Sequence, residues 1–109
     1  MKDKKDLKAF GKMLTNMRLR SGIKSRRQLS IKTGVSDTHI GNLEKGKNRP
    51  SKYLLWSIVA VLDLTSEEIV EMYLLCGYDE NEANYMIERK KAKNITFSEL
   101  LAEFMRMSG

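Results

Sequence analysis

The chain has one cysteine, one proline and one histidine in 109 residues. A single cysteine, Cys76, excludes an intramolecular disulfide framework, and the simplest setting is intracellular and cytoplasmic. One histidine and one cysteine in unrelated segments supply no nucleophile–base pair. There is no glycine-rich phosphate loop and no metal-ligand cluster, so neither an enzyme nor a cofactor is expected. His39 is a lone histidine and no metal site. Carboxylate pairs such as Glu67-Glu68 are accounted for by helix N-termini, where negative charge is favourable. No apolar run approaches bilayer length and no signal-peptide core is present, so no membrane partner or targeting segment is expected. Strand alternation, repeats and low-complexity stretches are also missing. One proline leaves little scope for long rigid loops.

What is present begins with charge. The formal net charge is +6, and it is segregated. Residues 1–52 hold 15 Lys or Arg against 4 Asp or Glu, a charge of +11. Residues 53–109 hold 5 against 10, a charge of −5. A basic half raises encounter rates with a polyanion. The Lys-rich start, MKDKKDLK, is either a solvated, frayed helix end or an arm on backbone phosphates.

The periodicity is helical throughout. A first helix is expected from about Lys4 to Arg20, with Leu7, Phe10, Leu14 and Met17 inward. Pro50-Ser51 opens a helix to about Leu62, with Leu55, Ile58, Val59 and Leu62 inward. Trp56 falls off that stripe and either pads the core edge or meets a partner. Thr65-x-x-Glu68 is a capping box for a helix to Gly77. Cys76 shares a stripe with Ile69, Met72 and Tyr73, which points to core packing. Asp79-x-x-Glu82 starts another helix that ends in the charged run Glu88 to Lys93. Thr96-x-x-Glu99 starts a last one, with Phe97, Leu100, Leu101 and Phe104 on one face.

Between Arg26 and Glu44, RRQLSIKTGVSDTHIGNLE has the spacing of two short helices joined by a tight turn. Ser25 is a good N-cap, and Gly34 can take the left-handed conformation that ends a helix. Leu29 and Ser30 lie where the helices must cross closely, and Val35 plugs the corner. Ser36 caps the second helix, whose Ile40 and Leu43 face inward. Asp37, Thr38, His39, Gly41 and Asn42 then face outward, a row of short side chains suited to a major groove.

With Glu44-Lys45-Gly46-Lys47-Asn48-Arg49-Pro50 following that turn, the chain resembles the phage-repressor helix-turn-helix family of the Cro-like or XRE type. Arg18, Gly22, Leu29, Gly34, Ile40, Leu43, Glu44, Gly46, Pro50, Leu55 and Leu62 match its pattern, over roughly residues 7 to 65. Arg26 stands where the family usually has Gln, and the Gly22-to-Leu29 spacing is one residue longer than usual. The resemblance implies an all-α fold, a five-helix repressor-like DNA-binding domain over residues 1–78. A helical C-terminal extension, residues 79–109, follows it.

Further implications concern the site and the partners. Asp37, Thr38 and Asn42 face base edges, with His39 a weaker candidate. Arg26, Ser36, Lys45, Lys47 and Arg49 hold the sugar-phosphate backbone, and Arg18 and Glu44 form a bracing ion pair. Asp37 is repelled by phosphate, so it either accepts from a cytosine amino group or caps the helix start.

The expected function is a sequence-specific transcriptional regulator, a repressor of phage or mobile-element type. It would read paired half-sites of double-stranded DNA as a homodimer, in the cytoplasm on the nucleoid. An inducer or antirepressor protein is a further candidate partner. Two alternatives come from other classes. One is an antitoxin that autoregulates through the same domain while residues 79–109 bind a toxin. The other is a protein-interaction module without DNA binding. Residues 79–109 fold back on the domain, pair with a second copy or bind an inducer protein.

Overall fold

The structure, a computed structural model, describes residues 5–91. Six helices and no strand occur among them: α1 (Leu7–Arg20), α2 (Arg26–Thr33), α3 (Asp37–Glu44), α4 (Lys52–Val61), α5 (Ser66–Leu75) and α6 (Glu80–Lys91). The all-α expectation holds.

Polar N-caps set most of the helix starts. Asp6, in extended backbone at φ −148°, accepts the N–H of Ala9, so α1 begins at Leu7 and not at Lys4. Ser25, Ser36 and Ser51 do the same for α2, α3 and α4. Thr65 and Glu68 form the expected capping box on α5. Asp79 and Glu82 exchange equivalent bonds of 3.1 and 2.9 Å at the start of α6. Each cap satisfies amide donors that the first helical turn leaves without a partner.

The inward stripes meet in one core. Phe10 and Leu14 of α1, Leu29 of α2, Ile40 and Leu43 of α3, and Leu55, Ile58 and Val59 of α4 are fully buried. Leu7 and Met17 sit half-buried at its margin. Cys76 is buried as well, and burial pushes its thiol up to about 12, as fits a packing residue and not a redox thiol. Trp56 is half-buried at the core edge, edge-to-face with Tyr53 at a centroid distance of 6.4 Å.

Of residues 79–109, the described part forms α6, which packs on the domain. Its Ala83, Met86 and Ile87 are buried in the same core. Lys52 pairs with Glu82 at 2.7 Å, joining the N-terminal ends of α4 and α6. Lys90 donates from Nζ to the carbonyls of Val59 and Leu62 at 3.2 and 2.8 Å, closing the C-terminal end of α4. The Thr96-x-x-Glu99 box and its apolar face lie outside the described residues.

One backbone approach orients the whole arrangement. A Cβ on Gly11 would stand 2.3 Å from the carbonyl oxygen of Glu44. At position 11, therefore, α1 lies directly on the C-terminal end of α3, and glycine is the residue that permits it.

Candidate nucleic-acid interface

α2 and α3 are built around a short, well-satisfied corner. The Ser25 hydroxyl accepts the Gln28 N–H at 3.1 Å. Gly34 ends α2 at φ +78°, a left-handed conformation that costs other residues more. The Thr33 hydroxyl donates to the Leu29 carbonyl at 2.8 Å and accepts the Val35 N–H at 3.2 Å. Ser36 then accepts the His39 N–H at 3.1 Å and starts α3. Ser36 is thus the cap, and Asp37 is the first residue of the helix, where a carboxylate suits the N-terminal dipole.

The corner holds Ile40 and Leu43 inward and turns the opposite side of α3 outward. Asp37, Thr38, Gly41, Asn42 and Lys45 line one shallow concavity of about 390 Å³, and Arg26 reaches into it from α2. The structure therefore brings together three of the residues expected at base edges and two of those expected at the backbone. His39 is half-buried on another side, in a separate depression shared with Ser36, Tyr53 and Ser57. Lys47 is exposed just beyond α3.

Arg49 has internal partners. Its Nε donates to the Cys76 carbonyl, its Nη2 to the Gly77 carbonyl at 3.2 Å, and its guanidinium lies 4.1 Å over the Tyr78 ring. Tyr78 in turn donates its hydroxyl to the Pro50 carbonyl at 2.7 Å. This latch ties the segment after α3 to the α5–α6 turn. A basic run in sequence looks like a phosphate clamp, and nothing in it signals these carbonyl acceptors 27 and 28 residues away.

Behind the concavity sits a buried carboxylate. Glu44 receives Arg18 Nε at 2.7 Å on one oxygen and Arg26 Nε at 2.8 Å on the other. Arg18 Nη1 also donates to the Ile23 carbonyl at 3.0 Å. Burial pushes the Glu44 carboxyl up, but the hydrogen bonds from Arg18 and Arg26 outweigh it and hold the group below the usual carboxylate range. The expected Arg18–Glu44 brace is present, with Arg26 as an additional partner.

Compared with known protein families, residues 16–69 match the family described as Helix-turn-helix. That stretch, about half of the chain, is similar to helix-turn-helix domains of the Cro and XRE type. The matched stretch runs from within α1 into α5 and takes in both motif helices. No curated protein and no solved structure matches the chain. The match suggests a DNA-binding regulator of XRE type, with α2 and α3 as the two helices of the motif. No helix among the described residues is long and apolar enough to cross a membrane.

Proposed function

We propose that this helix-turn-helix protein is a sequence-specific transcriptional repressor of phage or mobile-element type. A homodimer places α3 of each copy in successive major grooves of double-stranded DNA. The observation that carries the reading is the outer face of α3. Asp37, Thr38 and Asn42 are short and polar and share one open concavity with Arg26 and Lys45. A surface of that kind can reach base edges, which present distinct donor and acceptor patterns in the major groove.

The roles divide by position. Asp37, Thr38 and Asn42 meet bases, and His39, half-buried to one side, reaches the groove margin. Ser36, Arg26, Lys45, Lys47 and Arg49 serve the sugar-phosphate backbone, Arg49 only by leaving its carbonyl partners. The amides at the start of α3 add donors for phosphate.

Selection of bound fragments from a random DNA pool tests the reading. The expected result is an enriched sequence made of two related half-sites about 34 Å, or a multiple of that, apart. Recovery of unenriched DNA would refute it.

A further inference from the structure

Positions 37, 38, 41 and 42 of α3 and its C-cap residue, Lys45, lie along one side of the helix and line one concavity. The middle of that row is Gly41, which has no side chain. The space over it is occupied by a residue of another helix. A Cβ on Gly41 would meet Arg26 Nη1 at 3.4 Å, and its Cδ and Cζ at 3.8 Å. The guanidinium of Arg26 thus lies across the centre of the outer face of α3.

Its orientation is fixed from behind. Nε donates to Glu44 Oε1, and Glu44 is itself buried and held by Arg18 on its other oxygen. Among the described residues, no hydrogen bond is made by Nη1 or Nη2 of Arg26. Those two groups carry four of the five N–H donors of the fork.

We propose that Arg26 reads a guanine, with α2 supplying the base-contacting side chain that α3 lacks at Gly41. The inference rests on the DNA-binding reading above and moves Arg26 within it, from the backbone to a base. Three observations favour the base. The centre of a helix face inserted in the groove looks at base edges, whereas phosphates line its rims. A buried carboxylate orients the fork, and a fixed planar fork is what bidentate recognition requires, while a phosphate can be met by a mobile charge. Guanine offers two acceptors side by side in the major groove, N7 and O6, the usual partners of arginine. Asp37 on the same concavity complements this, because the cytosine of a G·C pair offers its amino group as a donor.

The test starts from the sequence enriched by the wild-type chain. Each guanine of a half-site is replaced in turn by 7-deazaguanine, which lacks the N7 acceptor. Binding is measured for the wild type, for Arg26→Lys and for Arg26→Gln. Lysine keeps the charge and loses the fork; glutamine is the residue usual at this position in the family.

At one guanine, 7-deaza substitution should weaken wild-type binding about 5- to 150-fold. The same substitution should have little effect on either variant, and the variants should lose the preference for guanine there alone. The proposal is overturned if no 7-deazaguanine weakens the wild type. It is equally overturned if both variants keep every base preference and only lose affinity uniformly, the signature of a phosphate contact. Failure of the wild type to enrich any sequence would instead refute the DNA reading itself.

Discussion

At the scale of single residues, Glu44 is the most constrained group. One buried carboxylate receives two guanidiniums, and Arg18 is almost as buried as its partner. Arg18→Ala leaves that carboxylate with Arg26 alone and opens a gap beside Ile23. It should cost about 3 kcal/mol in urea unfolding, the scale for breaking a buried pair. Acid should act through the same group. The folded Glu44 carboxyl lies below its ordinary 4.5, so its contribution is complete above that value and is lost as pH falls through the folded one. Glu68 behaves alike: hydrogen bonds from Arg20 and from the Thr65 amide bring it down to about 2. Stability should therefore be level above about pH 5 and should decline toward pH 2. Glu68→Gln should flatten the lower part of that decline; an unchanged slope would remove the Arg20–Glu68 pair from the account. At the interface, Asn42→Ala should alter the preferred base, with discrimination reduced by about 1–3 kcal/mol. Lys47→Ala should weaken all sequences alike, because a phosphate contact carries no base information. Enrichment of bound sequences with each variant separates the two effects.

At the scale of helices, most starts were legible because a cap is a local device. Ser25, Ser36, Thr65 and Asp79 each stand beside the amides they serve, so sequence spacing is enough to place them. The outer face of α3 was legible in part for a related reason: once Ile40 and Leu43 turn inward, the helical period leaves Asp37, Thr38 and Asn42 on one open side, whereas Gly41 is buried beneath Arg26 and His39 is half-buried elsewhere. Contacts between helices were not, apart from the Arg18–Glu44 brace that the family resemblance implied. The Lys90 bonds to the end of α4 and the Arg49 latch join residues separated by 27 to 31 positions, and charge alone gives no hint of a carbonyl partner. Gly11 was missed because a glycine within a helical run reads as a mild weakness, about 1 kcal/mol against alanine. The structure reverses that sign. Gly11→Ala would improve the propensity of α1 yet drive a methyl group into the backbone of α3, where no flexible side chain can yield. It should destabilise by about 2–3 kcal/mol. It should also displace the end of α3, so DNA affinity should fall even where the variant is folded. Thermal unfolding and a binding titration check the two parts, and a more stable variant would refute the close approach.

At the scale of the whole chain, the charge division sets an electrostatic prediction that bears on the dimer. Residues 1–52, which contain α1, α2 and α3, carry +11, against −5 for residues 53–109. Binding by the basic half should release counterions from the duplex, so log affinity should fall linearly with log salt. If a dimer neutralises roughly 6–10 phosphates, the slope on a paired site should be about −5 to −9. A single half-site offers phosphates to one copy only, so its slope should be about half as steep. Lys47→Ala removes one phosphate contact per copy, and should flatten the paired-site slope by about 2 and the half-site slope by about 1. That ratio counts the copies without any assumption about which surface joins them. Fluorescence anisotropy on the two DNAs across a salt series measures it, with sedimentation of the complex giving the mass. Equal slopes on both DNAs would mean that one copy does the reading, and a flat dependence on either would mean that phosphate is not the partner of the basic half.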